Sequence, residues 1–131
     1  MNVAALTYEQ YMANQSLLRT FLIPAVDRCL LQLAEVEYSI RDGERLPVVL
    51  LDEQTPIGLM VCELTQDALH ITTLAGNLPK GWHRTILETV TLLAREHGKD
   101  KLQCTGRRGW SRILQKFGAT RTGDTVTIEV K

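Results

Sequence analysis

Three observations predict a single α/β (α+β) domain spanning residues 1–131. Apolar side chains recur at helical spacing in the first third of the chain and again over residues 82–97. Short β-branched runs bounded by turn residues occupy the middle. After Gly98 the period returns to that of strands, interrupted by one short helical stripe. The element order read from these switches is β-α-α-β-β-β-α-β-α-β-β, with the helices flanking a sheet.

Residues 2–6 form a short strand. Thr7 with Gln10 three positions on makes a capping box: the hydroxyl takes one orphan N–H, the amide returns to another, and a helix starts at about Tyr8. It weakens near Asn14-Gln15-Ser16. Leu17, Leu18, Phe21 and Leu22 continue the stripe to Pro24, whose ring suits the first turn of a second helix carrying Val26, Leu30 and Leu33. Residues 47–51 and 57–64 then read as an antiparallel hairpin around Asp52-Glu53-Gln54-Thr55. A third strand follows over residues 69–74, with Leu69, Ile71 and Thr73 on one face and His70, Thr72 and Leu74 on the other. Asn77 is read as an N-cap and Pro79 as first-turn proline of a long helix, with Trp82, Ile86, Val90, Leu93 and His97 on its stripe and Gly98 closing it. Residues 101–105 form a strand. Trp110, Ile113, Leu114 and Phe117 form the stripe of a short helix ended by Gly118, and a hairpin around Gly123-Asp124 closes the fold.

Composition narrows the function classes. With 44% hydrophobic and 23% charged residues, the chain has the profile of an ordinary globular domain. The net charge of zero conceals a division: nine acidic and four basic side chains through residue 66, then six acidic and eleven basic. No apolar run reaches the roughly 20 residues of a membrane span, and no basic leader opens the chain, so a cytoplasmic protein with no membrane role is expected. Cys29, Cys62 and Cys104 lack ligand spacing toward each other or toward His70, His83 and His97, which predicts reduced, mostly buried thiols and no metal site.

Two groups of residues invite a ligand. Arg108, Arg112 and Lys116 recur at i, i+4 and i+8 beside Arg107, a cationic strip suited to phosphates or carboxylates of a partner. Both tryptophans fall on the expected buried faces, so nucleic acid is not indicated. Lys80, His83 and Arg84 make a small cationic turn at the start of the long helix, where free N–H groups attract anions. Trp82 beside them is read as an anchor to the sheet, and His97 as a C-terminal cap.

The element order, Pro56-Ile57-Gly58 at a strand entry and Lys116-Phe117-Gly118-Ala119 at a helix end together resemble the GNAT superfamily of acyl-CoA N-acyltransferases, over nearly the whole chain. The resemblance implies a mixed, mainly antiparallel sheet. It also implies a bulge at Thr72-Thr73, where the family's fourth strand parts from the fifth to hold pantetheine. Its Q/R-x-x-G-x-G/A phosphate loop corresponds here to Leu78-Pro79-Lys80-Gly81-Trp82-His83, which keeps only Gly81. The family's tyrosine acid corresponds to Leu114. Its strand carboxylate has no counterpart in residues 69–75, leaving His70 or Glu63 to substitute. If acyl-CoA binds, the resemblance assigns it Leu74, Ala75, Lys80, Gly81, Trp82 and His83.

These departures favour a non-catalytic, cofactor-free binding or assembly protein, with no catalytic residues, docking protein partners through Arg107, Arg108, Arg112 and Lys116. The Tyr8 to Leu33 segment, the Leu78 to His83 replacement and the Gly106-Arg107-Arg108-Gly109-Trp110 stretch resemble head-assembly or DNA-transfer proteins of short-tailed phages, so the partners expected are virion components. The alternative is an acetyl-CoA-dependent N-acetyltransferase.

Overall fold

The computed structural model describes residues 1–105, 112 and 114–130. Its elements are β1 (Asn2–Ala5), α1 (Tyr8–Ala13), α2 (Gln15–Arg28), α3 (Leu33–Arg41), β2 (Arg45–Asp52), β3 (Thr55–Leu64), β4 (Ala68–Gly76), α4 (Trp82–Glu96), β5 (Lys101–Thr105), a 3₁₀ turn (Gln115–Phe117), β6 (Thr120–Thr122) and β7 (Thr125–Glu129). One seven-stranded sheet runs β1-β2-β3-β4-β5-β7-β6. Among the described residues its only parallel pair is β4 with β5. The α/β (α+β) class and the mixed, mainly antiparallel sheet are as expected.

Two apolar layers sandwich this sheet. On one face α4 buries Ile86, Val90, Leu93 and Ala94 against Val48, Met60, Leu69, Leu102 and Val126. On the other, α1 to α3 bury Tyr11, Leu18, Leu22, Val26, Val36 and Ile40 against Val49, Leu59 and Val61. The second layer covers β2 to β4. Beyond it Gln103, Thr125 and Thr127 are only half-buried and Thr105 is exposed.

Several local expectations need correction. Three helices, not two, precede β2. Asn14 divides the first pair, and Pro24 lies inside α2 rather than opening a helix. An interior proline costs about 3 kcal/mol, less than the gain from burying Leu18, Leu22, Ala25 and Val26 on the other side of α2. The α4 N-cap is Gly81, not Asn77. The thiols, by contrast, are mostly buried as expected, with Cys62 and Cys104 inside and Cys29 exposed. The strict alternation expected along β4 fails because Cys62 pairs with Ile71 and Val61 with Thr73, which leaves Thr72 as an extra residue. Leu69, Ile71 and Leu74 therefore face α4, while Thr73 shares the other face with Val61.

Candidate functional site

The bulge at Thr72 coincides with the end of the β4–β5 pairing. That ladder runs from Ala68 with Lys101 to Ile71 with Cys104 and goes no further. Among the described residues, Thr73 to Gly76 pair only with β3, so the other edge of this stretch faces the gap between β4 and β5 without a ladder partner. The hydroxyls of Thr72 and Thr73 are buried and make no hydrogen bond among the described residues. Cys29, at the end of α2, brings its thiol within 3.9 Å of the Thr72 carbonyl and marks where the helical layer meets the gap.

A close contact fixes the far end of β4. Gly58 and Gly76 stand opposite each other, and a Cβ on Gly76 would lie 2.2 Å from the Ile57 carbonyl oxygen. Five residues later Gly81 takes the left-handed conformation, with φ of 83°, and starts α4 with no side-chain cap. A Cβ at Gly81 would meet nothing within 4 Å. The positive end of the α4 dipole thus lies at Gly81, where it favours an anion, although the Trp82 N–H already donates to the Pro79 carbonyl. The rings of Trp82 and His83 stack with centroids 3.6 Å apart. Burial holds the His83 imidazole below its ordinary pKa.

The structure therefore brings the six residues assigned to acyl-CoA onto consecutive elements: Leu74 and Ala75 on the unpaired part of β4, Lys80 and Gly81 in the turn, Trp82 and His83 in the first turn of α4. The cationic strip is only partly visible. Arg112 and Lys116 are exposed, but Lys116 lies in the 3₁₀ turn, which breaks the expected i, i+4 helical spacing. Arg107, Arg108 and Trp110 lie outside the described residues.

A polar row that sequence spacing does not reveal crosses the sheet beside the gap. Arg45 pairs in register with Glu63, Glu63 with His70, His70 with Gln103 and Gln103 with Thr127. His70 stands one residue before the end of the β4–β5 ladder, with Nε2 3.2 Å from Thr105 Oγ1. Burial lowers its pKa; Glu63 opposes this and Arg45 reinforces it, so the imidazole is neutral at pH 7. Leu114, where the resemblance places an acid, is buried and has no proton to give. Among the described residues no group of His, Cys, Asp and Glu is arranged to hold a metal, and no helix is long and apolar enough to cross a membrane.

No protein-family model matches the sequence, and no curated protein matches it. Solved structures do match. The crystal structure of Tetrahymena GCN5 superposes with a TM-score of 0.74 over 100% of this chain and 97% of that one, at 13% identity. A GNAT family acetyltransferase from Elizabethkingia anophelis with acetyl-CoA bound gives 0.73 over 98% and 97%, at 14% identity. The IAA acetyltransferase from Bacillus cereus gives 0.68 over 98% of each chain, at 15% identity. At such identities the likeness is one of architecture, and the architecture of this chain is the GNAT acetyltransferase fold.

Proposed function

We propose that the protein is an acyl-CoA-dependent N-acyltransferase. One observation carries this reading: β4 leaves β5 at a bulge, and the gap it opens stands beside an uncapped helix N-terminus. Bound acyl-CoA would supply the acyl group as a thioester, activated for attack by an amine. The residues present fit it. The edge of Thr73 to Gly76 that has no ladder partner offers backbone groups to an amide-bearing arm, and the α4 N-terminus, with Lys80 and Arg84 exposed beside it, suits a pyrophosphate. Pro79 supplies no N–H to such a ligand, and its carbonyl accepts from the Trp82 N–H.

The acceptor's proton has one evident destination among the described residues. A neutral amine must lose a proton as it acylates, and His70 is an uncharged imidazole at the mouth of the gap. With Leu114 buried and apolar, the thiolate leaves without a side-chain acid from that position.

The same Leu114 and the altered Leu78 to His83 loop favour a second reading, a docking protein that uses the fold without turnover. The acetyltransferases named above lend the virion-assembly expectation no support. Calorimetric titration with acetyl-CoA, followed by thiol release over a panel of primary amines, separates the readings. Binding with turnover is the expected result. Binding without thiol release on any amine leaves the docking reading, and no binding overturns the proposal.

A further inference from the structure

The groups around His70 form a chain anchored in the helical layer. Ser39 of α3 is buried and donates to the Val36 carbonyl at 2.7 Å. Its oxygen accepts Arg45 Nη1 at 2.9 Å, and Arg45 Nη2 reaches Glu63 Oε2 at 3.2 Å. Glu63 is the cross-strand neighbour of His70. Only 13% of the Arg45 side chain is exposed, against 39% for Glu63, so the guanidinium is the fixed member of the pair. His70 meanwhile turns Nε2 to Thr105. From β5 it is faced by uncharged Gln103 and Thr105, while Lys101, two residues along, pairs with Asp67. From the helical side α2 brings the Cys29 thiol to neighbouring Thr72.

A carboxylate beside an imidazole favours its charged form, and an imidazole protonated in that way has no lone pair left to accept a proton from substrate. Here the carboxylate is already engaged on its other side. We propose that Arg45 is a positioning residue: seated on Ser39, it holds Glu63 away from His70 and so keeps the imidazole free to accept a proton from substrate. This rests on the acyltransferase reading for its purpose, but its physical content is measurable without turnover. Burial is the main cause of the lowered His70 pKa; beside it Glu63 raises the value and Arg45 lowers it.

The test is an NMR titration of the His70 ring in the full chain, run beside pH profiles of thiol release. Arg45→Met frees Glu63, so His70 titrates at higher pH and the acid limb of the rate profile moves with it. Arg45→Lys keeps the charge and leaves both near the wild type. Glu63→Gln shifts His70 the other way, and the Arg45→Met/Glu63→Gln double variant returns it toward the wild type. A merely structural arginine would give no opposite-signed pair. If Arg45→Met leaves the titration unmoved, or if Arg45→Met and Arg45→Lys behave alike, the inference fails. Should Arg45→Met not fold, the double variant and Glu63→Gln still decide it, because a Glu63→Gln titration unmoved or raised also overturns it. These shifts without thiol release in any variant would refute the acyltransferase reading and leave the role of Arg45 standing.

Discussion

Gly76 and Gly81 both have positive φ, yet their surroundings make them respond differently to a side chain. At Gly76, φ is 137° and a Cβ would stand 2.2 Å from the Ile57 carbonyl oxygen, with the Gly58 Cα at 2.4 Å. Neither backbone atom can yield without parting β3 from β4. Gly76→Ala should therefore cost about 3–5 kcal/mol, the left-handed penalty plus the overlap. Gly81→Ala meets open space and should cost only about 1–2 kcal/mol. Urea denaturation of the two variants checks the ranking; equal losses would mean that strand contact is not what selects glycine at 76. His70 belongs to this scale too. Removing a general base typically lowers the rate by about 10²-fold or more, so His70→Ala should lose that much in kcat with acetyl-CoA affinity unchanged. The wild-type rate should rise with pH, because the neutral imidazole is the form that accepts a proton, and through an apparent pKa below the ordinary 6.5, because burial lowers that of His70. A rate flat through that limb would take His70 out of the reaction.

Besides their shared apolar core, helices α1 to α3 are tied together by one carboxylate. Glu37 of α3 accepts from Tyr11 Oη of α1 at 2.5 Å, and from Gln15 Nε2 at 3.0 Å and Arg19 Nη2 at 2.6 Å, both of α2. Burial alone would raise the Glu37 carboxyl, but the bonds from Arg19, Tyr11 and Gln15 outweigh it and hold it below its ordinary value. A depressed carboxylate stabilises the fold above its unfolded pKa and loses that contribution as pH falls through the folded value. Unfolding free energy should thus decline with acidification from about pH 4.5 downward, and more shallowly in Glu37→Gln. At neutral pH, Glu37→Ala strands the buried Tyr11 hydroxyl and should cost about 2 kcal/mol, read by thermal or urea unfolding. Tyr11, Gln15 and Arg19 recur at i, i+4 and i+8, but no spacing points from them to Glu37, which lies 18 to 26 positions away in α3. What was legible in the sequence was local. The Thr7–Gln10 capping box is present in both directions, and His97 bonds the Leu93 carbonyl just before left-handed Gly98. What failed was also local, where tertiary packing overrode a residue's usual signal. Pro24 reads as a helix start, yet burial of its neighbours carries α2 through it. Asn77 reads as a cap, yet its N–H is spent on the Ile57 carbonyl and the helix waits for Gly81. The gap was foreseen only through the resemblance at Thr72-Thr73. The Arg45–Glu63–His70 row was not foreseen, because register across strands is a property of pairing rather than of any one segment.

At the scale of the whole molecule, the zero net charge resolves into two layers. The acidic half of the sequence builds α1 to α3 and the β2–β3 hairpin, and the basic half builds α4 and β5 to β7, with the gap between β4 and β5 near the seam. Among the described residues, the ladder that joins β4 to β5 runs only from Ala68 to Ile71, and the α4 core packs across both halves of the sheet. An occupant of the gap would complete the missing edge. It would also bind the folded state alone, so acetyl-CoA at a hundred times its Kd should raise the unfolding free energy by about 2.7 kcal/mol. Hydrogen exchange locates the effect. In the free protein, amides of residues 72–76 that point away from β3 should exchange fast for a strand interior, while those of the β2–β3 ladder are protected. Acetyl-CoA should slow the former, together with first-turn amides of α4 at residues 82–84, and leave exchange in β1 and β6, at the two outer edges, as it was. Protection appearing instead around Arg112 and Lys116, with residues 72–76 unchanged, would place the ligand on the cationic strip and return the molecule to the docking reading.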